Sequence, residues 1–143
     1  DVQDNAIPSG NAMAAGVLLR MSMYTGNGRY YDIAHQMVSS MYAAMSQYPT
    51  GFGQWLQAAT LILNQPQEIA IVGDPYAAET QALIDTVFAE YRPYQVVAVG
   101  TDGDVIELLA ERPQKDGRAT AYVCEKFVCQ LPVNDPAALA QQL

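Results

Sequence analysis

The sequence contains little cysteine, little histidine and, over its first half, little charge. Two cysteines and one histidine, His35, occur in 143 residues. Two cysteines are too few for a disulfide-rich secreted scaffold, and a single histidine cannot build a multi-histidine metal site. No apolar run reaches the roughly 18 residues that span a bilayer, and no signal peptide precedes the first predicted helix. We therefore expect a cytoplasmic protein with no membrane span, no metal and no cofactor.

Acidic residues outnumber basic ones by 15 to 7, which gives a formal net charge of −8. Repulsion between like charges argues against partners such as nucleic acid or an anionic membrane surface. Half of the residues are apolar, which is enough to form a folded core in a chain of this length.

The charges are unevenly distributed along the chain. Residues 5–67 carry only Arg20, Arg29 and Asp32, whereas residues 68–143 carry seventeen charges. About a quarter of the residues in an average soluble protein are charged, so the first half is unusually apolar. Large apolar surfaces mark interfaces. We expect this half to be covered by further helices or by association into a homo-oligomer.

Apolar residues in the first half recur at helical spacing and predict three helices, over residues 7–27, 29–47 and 51–65. Pro8 suits the first turn of helix one, and Gly26 suits its C-terminal cap. Helix one is apolar on two faces, as in a helix buried inside a larger assembly. The predicted buried residues are Ala12, Gly16, Leu19 and Met23, with Met13, Val17, Met21 and Tyr24, in helix one; Ile33, Met37, Met41 and Ala44 in helix two; and Trp55, Ala59, Ile62 and Leu63 in helix three.

The second half predicts a small α/β unit. Short apolar runs at 68–73 and 94–100 end in glycine, as buried parallel strands do. A helix is predicted to begin at Asp74 and Pro75, and a second one over 102–112 with Asp104 and Glu107 as a capping box. Two further strands flank a hairpin near residue 126, and a terminal helix follows Asp135. The alternation of strands and helices predicts right-handed crossovers and a parallel sheet, to which the hairpin adds an antiparallel strand.

The predicted fold class is therefore mixed α+β and α/β, with two domains. Helices occupy residues 1–67, and a small three-layer α/β unit with parallel strands and a C-terminal β-hairpin occupies residues 68–143.

Cys124 and Cys129 lie five positions apart in the strand-like segment "AYVCEKFVCQLPV". On one continuous strand they would face opposite sides of the sheet. A two-residue turn at Lys126-Phe127 would instead place them opposite each other, with Cβ atoms roughly 4.5–5.5 Å apart. No feature that lowers a cysteine pKa is evident in the sequence nearby. We expect two reduced, buried thiols, with a reversible redox pair as the alternative.

Two segments resemble one known family. "DNAIPSGNAMAAGVLLRM" and "AYVCEKFVCQLPVNDPAALAQQL" resemble signatures of the spermatogenesis-associated, thioredoxin-domain-containing proteins, and "QEIAIVGDP" fits between them. The resemblance implies a C-terminal fragment of a longer protein. That protein would have a thioredoxin-like domain followed by an (α/α)6 toroid similar to the N-acylglucosamine 2-epimerase and cellobiose epimerase group. The present chain would supply the last toroid helices over 1–67, and the other domains would be its partners.

In such a toroid, the resemblance implies that the start of helix one faces a central cleft. Asp4, Asn5, Ser9 and Asn11 cluster there. Their carboxylate, amide and hydroxyl groups suit sugar hydroxyls, and Asp4 could act as an acid or base. Asp4, Ser9 and Asn11 are therefore the candidate catalytic residues. The alternative is that Asp4 and Ser9 only cap the helix.

Three functions are compatible with these residues. The first is a carbohydrate-related, epimerase-like activity of the longer protein, for which the fragment alone is expected to be inactive. The second is a redox role in which the cysteine pair communicates with the thioredoxin-like domain. The third is a structural domain that closes the toroid.

Overall fold

The computed structural model describes residues 1–101, 105–126 and 128–143. They form two compact units, Asp1–Gln65 and Pro66–Leu143, which are described separately. The first unit is helical and the second is built on a sheet, so the mixed fold class predicted from the sequence is confirmed. The assignment of the first unit to the end of a toroid stays a prediction. In the described ranges, no helix has the length and apolar character needed to cross a membrane.

The first unit contains four α-helices and one short 3₁₀ turn. They are α1 (Gly10–Thr25), α2 (Gly28–Ser40), α3 (Tyr42–Gln47), the 3₁₀ turn Pro49–Gly51, and α4 (Gly53–Leu63). Ser9 caps the start of α1, and Gly26 ends it in the left-handed conformation that glycine adopts without strain (φ 65°). Asn27 then caps α2 by accepting a hydrogen bond from the backbone N–H of Arg29.

The predicted second helix is wrong as one continuous element, because the chain breaks at Met41 between α2 and α3. The N–H of Met41 donates to the carbonyl of Val38, three residues back, which closes a tighter turn than an α-helix. The buried stripe also shifts, since Ala34 and Val38 are buried while Ile33 is exposed. The core of this unit comprises Ala12, Ala15, Leu19, Ala34, Val38, Met45, Phe52, Trp55, Ala58 and Leu61.

The two apolar faces of α1 have different surroundings within this unit. Ala12, Ala15 and Leu19 are buried against α2 and α4. On the other face, Met13 and Val17 are about half exposed, at 46% and 53%. The helices of this unit therefore cover one side of α1 and leave the other side accessible.

The second unit is a four-stranded mixed sheet with helices on one face. Its elements are β1 (Gln67–Val72), α5 (Ala78–Phe88), β2 (Gln95–Gly100), a 3₁₀ turn (Glu107–Leu109), β3 (Thr120–Glu125), β4 (Val128–Cys129) and α6 (Pro136–Gln142). The strand order is β2-β1-β3-β4, and β1 and β2 are parallel as predicted. The core between the sheet and its helices comprises Ile69, Ile71, Leu83, Val87, Ala119, Ala121, Val123 and Leu139.

The predicted parallel direction of the third strand is wrong, because β3 runs antiparallel to β1. Residues 105–112 form only a 3₁₀ turn instead of the predicted crossover helix. The chain then reverses between Lys115 and Arg118, which form an antiparallel bridge around Asp116-Gly117. Both turn residues have positive φ, as an Asp-Gly hairpin turn requires.

The predicted start of the helix after β1 is also wrong. The side chain of Asp74 accepts a hydrogen bond from the N–H of Tyr76 and forms a local turn, so α5 begins only at Ala78. Asp104, one half of the predicted capping box with Glu107, lies outside the described residues.

Side-chain alternation along the strands separates two faces of the sheet. Ile69 of β1 and Val123 of β3 point into the core formed with α5 and α6. Their neighbours Glu68 and Cys124 therefore project from the opposite face. The 3₁₀ turn Glu107–Leu109 lies beside β1 and β2.

Candidate redox site

The hairpin between β3 and β4 has the register predicted from the cysteine spacing. Cys124 pairs with Cys129, and Glu125 pairs with Val128. The sulfurs are bonded to each other. The expectation of two reduced, buried thiols is wrong, because the pairing places both sulfurs on one face at bonding distance. Only one of the two cysteines is buried. Cys124 is 1% exposed, whereas Cys129 is exposed on the edge strand, so the predicted burial of Cys129 is wrong.

Arg112 lies beside both sulfurs. Its Nη2 atom is 3.7 Å from Cys124 Sγ and 3.8 Å from Cys129 Sγ. Its Nη1 atom donates to the backbone carbonyls of Leu108 and Ala110, at 2.7 and 3.3 Å. The guanidinium is thus held by backbone acceptors on one side and faces the disulfide on the other.

Tyr122 anchors the segment that carries Arg112. It lies two residues before Cys124 on β3, so both side chains project from the same face. Its hydroxyl donates to the carbonyl of Pro113 at 2.5 Å. This hydrogen bond fastens the chain next to Arg112 to the strand that holds Cys124.

Glu68 places a carboxyl group near Arg112 and the disulfide. It lies opposite Cys124 in the β1–β3 register, and it is half-buried. Burial raises the pKa of the Glu68 carboxyl, and the nearby charge of Arg112 partly offsets this effect by lowering it. Arg112 therefore acts electrostatically on a carboxylate as well as on the sulfurs.

The turn that closes the hairpin has an unfavourable backbone conformation at Lys126. Lys126 adopts φ 46°, a left-handed conformation that costs a residue with a Cβ roughly 1–2 kcal/mol. Phe127, the other turn residue, lies outside the described residues. The cysteine pairing and the β3–β4 contacts therefore hold a turn that its own sequence does not favour.

The sequence analysis missed Arg112 and Glu68, and it found no feature near the cysteines that lowers a thiol pKa. Residues 102–112 were predicted to form a helix, and strand direction could not be read from periodicity. The only signal was that Arg112 is one of five cations in the second half of the chain. Its position beside the sulfurs depends on the path between β2 and β3.

The other candidate site residues lie at helix starts in the first unit. Asp4 is half-buried, and its Oδ1 and Oδ2 atoms accept hydrogen bonds from the N–H groups of Ser9 and Gln54, both at 2.8 Å. Ser9 Oγ accepts from the N–H of Ala12 at 3.2 Å. These contacts support the capping alternative for Asp4 and Ser9.

Asn11 lies on the exposed surface, where its side-chain amide donates to the carbonyl of Asp1 at 2.9 Å. The catalytic roles of Asp4, Ser9 and Asn11 stay predictions. His35 is exposed and stacks on Tyr31, with 5.8 Å between ring centroids. Among the described residues, no three histidine, cysteine or carboxylate side chains cluster as metal ligands would.

Three curated proteins match the whole chain over 150 aligned residues. Spermatogenesis-associated protein 20 is 31% identical in human, 29% in mouse and 30% in rat. The alignment covers 100% of the present chain in each case. The chain is similar over its whole length to the C-terminal part of spermatogenesis-associated protein 20. The family resemblance expected from the sequence motifs is thereby confirmed.

The chain spans about a fifth of its spermatogenesis-associated protein 20 relatives, 19% of their length, and matches their C-terminal part. Most of each relative therefore lies outside the region compared. No family model matches the chain. No solved structure matches it.

Proposed function

We propose that the second unit is a thiol–disulfide exchange module in which Cys124 and Cys129 cycle between disulfide and dithiol. The observation that carries this proposal is the Arg112 guanidinium, which lies within 3.8 Å of both sulfurs. An arginine beside a cysteine favours the thiolate, and the thiolate is the form that attacks and leaves in disulfide exchange. A disulfide with a purely structural role does not need such a cation.

The position of the pair on the sheet also suits exchange. Cys129 lies on β4, a two-residue strand at the edge of the sheet, and it is exposed. A reacting thiolate needs access to one sulfur, and an edge strand provides it without unfolding the core. Cys124 lies on β3, an inner strand of the sheet, so that the pair is fixed to a stable element on one side.

The proposed exchange partner is a dithiol of thioredoxin-like chemistry. The resemblance to thioredoxin-domain-containing proteins supports this choice. A thioredoxin-like domain in the longer protein would provide a dithiol on the same polypeptide chain. In this proposal the thioredoxin-like domain reduces the Cys124–Cys129 disulfide, and the second unit returns to the oxidised form by passing its electrons to another disulfide.

A redox titration tests this proposal. The chain is equilibrated in dithiothreitol buffers of defined potential, and free thiols are then alkylated and counted by mass spectrometry. We expect a midpoint above about −300 mV, the value below which structural disulfides typically lie. A midpoint below that value would assign the disulfide a structural role. The Cys124→Ser/Cys129→Ser variant is the matched control and should show no transition.

The carbohydrate-related activity implied by the resemblance is a second proposal and concerns the longer protein. Asp4 and Ser9 would line its cleft, but their observed contacts are those of helix caps. For the present chain alone we propose no sugar chemistry. A structural role in closing a toroid would use the same capping contacts. The carbohydrate-related role and the structural role therefore differ in whether the activity of the longer protein depends on Asp4.

A further inference from the structure

The two sulfurs of the hairpin differ in their access to an incoming thiolate. Cys124 is 1% exposed on an inner strand, whereas Cys129 is exposed on the edge strand. Exchange requires the attacking thiolate to approach one sulfur from the side away from the other. Only Cys129 offers that approach without movement of the sheet.

We infer that an incoming thiolate attacks Cys129 Sγ and that Cys124 leaves as a thiolate beside the Arg112 guanidinium. This inference rests on the proposed function, because it specifies the direction of the proposed exchange. Access selects Cys129 as the sulfur that is attacked, and Arg112, which contacts both sulfurs, stabilises the thiolate that Cys124 forms when it leaves.

The electrons and bonds balance with a dithiol as the reductant. The attacking sulfur forms a bond to Cys129 Sγ, the bond between the two cysteines breaks, and its electron pair stays on Cys124 Sγ. The second thiolate of the reductant then attacks the sulfur bonded to Cys129, which releases the Cys129 thiolate. The reductant loses two electrons and becomes a disulfide, and the protein disulfide gains them and becomes two thiolates, which take up protons from solvent to form thiols.

A buried thiolate at Cys124 would be costly without a positive charge nearby. Arg112 Nη2 lies 3.7 Å from this sulfur before exchange begins. The carbonyls of Leu108 and Ala110 hold the other guanidinium nitrogen, so the cation does not have to be recruited during the reaction. A charge already fixed in place stabilises the leaving group more effectively than a mobile one.

Among the described residues, the other titratable side chains on the strands and turn next to the pair are Glu68, Tyr122, Glu125 and Lys126. Glu68 lies opposite Cys124 on the neighbouring strand and projects from the same face, so its ionised carboxylate opposes thiolate formation. The Tyr122 hydroxyl is engaged by the Pro113 carbonyl on the same face. Glu125 is exposed and alternates to the other face, and Lys126 lies in the hairpin turn. Arg112 is therefore the cation that contacts the sulfurs, and its charge is opposed by Glu68.

The site of attack can be mapped in the unaltered chain. The oxidised protein is exposed briefly to reduced glutathione, free thiols are trapped with N-ethylmaleimide, and the products are digested with trypsin. Cleavage after Lys126 separates the two cysteines. We expect glutathione on Cys129 and N-ethylmaleimide on Cys124. Glutathione found mainly on Cys124, or equally on both, would overturn the inference.

The role of Arg112 is tested by the rate of reduction with dithiothreitol. We expect Arg112→Gln to slow reduction about tenfold and Arg112→Lys to slow it less, because lysine keeps the charge. Arg118→Gln is the matched control, since it removes one positive charge from the same unit at a residue facing Glu79. It should change the rate less than twofold. Equal rates for Arg112→Gln and Arg118→Gln would overturn the inference.

A pH profile separates this role from a merely structural one. In the reduced Cys129→Ser variant, the pH at which Cys124 reaches half its maximal alkylation rate should rise by about one pH unit when Arg112→Gln is added. An unchanged profile would overturn the inference. Failure of the proposed function is distinguishable, because the disulfide would then titrate in the range of structural disulfides whichever sulfur is attacked.

Discussion

Glu68 and Cys124 lie directly opposite each other on the antiparallel strands β1 and β3. This register places a half-buried carboxyl group on the same sheet face as the buried sulfur. Arg112 contacts the sulfur and also influences the carboxyl electrostatically. One cation is thus shared between a carboxylate and a disulfide, and both the stability and the reactivity of this unit should depend on it.

The pKa of Glu68 predicts how stability varies with pH. Burial raises this pKa above its value in the unfolded chain. The favourable contribution of the neutral carboxyl is therefore fully present below the unfolded pKa and is lost as pH rises through the folded pKa. We expect Glu68→Gln to raise the urea midpoint at pH 7 and to leave it nearly unchanged at pH 4.

The control for this experiment is Glu125→Gln, on the neighbouring strand, because Glu125 is exposed. It should change the free energy of unfolding by less than about 0.5 kcal/mol at either pH. A Glu68→Gln variant that is no more stable than the unaltered chain at pH 7 would contradict the prediction.

Asp4 is predicted to stabilise the first unit through two backbone hydrogen bonds. Both of its oxygens accept N–H groups, from Ser9 and Gln54. We expect Asp4→Ala to reduce the free energy of unfolding by about 2 kcal/mol, and Asp4→Asn to reduce it less because one oxygen remains. Urea unfolding measures both changes, and Asp32→Ala, at an exposed position in α2, is the control.

A catalytic role for Asp4 predicts a different result in the longer relatives. Asp4→Asn at the equivalent position would abolish activity while stability changed little. Lost stability with retained activity would leave only the capping role.

The left-handed conformation of Lys126 predicts that glycine is better at this position. Its φ of 46° disfavours residues with a Cβ. We expect Lys126→Gly to increase the free energy of unfolding by about 1 kcal/mol with the disulfide intact. Lys115→Gly serves as control, since Lys115 has no such backbone conformation. A stability increase for both variants, or for neither, would argue against relief of backbone strain.

The accessible face of α1 predicts association of the chain. Met13, Val17 and Met21 are exposed along it. We expect light scattering to detect a dimer or larger oligomer, and Val17→Lys to shift the protein towards the monomer because it places a charge on that face. Tyr76→Lys, which changes an exposed aromatic residue in the second unit, should leave the mass unchanged. A monomer at high protein concentration would rule this out.

Local features of the sequence determined several elements correctly. Gly26 ends α1 as predicted, and Ser9 caps its start as the capping alternative stated, whereas Pro8 lies before the helix and not in its first turn. The pairing of Cys124 with Cys129 followed from the period of two along a strand and from the length of the turn. The buried residues of α2, Ala34 and Val38, lie one position after the predicted Ile33 and Met37, and the helix ends at Met41 although the pattern looked continuous.

Only the tertiary structure decided the direction of β3 and the surroundings of the disulfide. Periodicity identifies which face of a strand is buried, but it is the same for parallel and antiparallel neighbours, so β3 was assigned the wrong direction. Arg112 reaches the sulfurs because residues 105–112 contain a 3₁₀ turn instead of the predicted crossover helix, and Tyr122 fastens the adjacent Pro113 to β3. The sequence by itself therefore placed the two cysteines together, whereas the charge beside them depends on packing between segments that no local pattern relates.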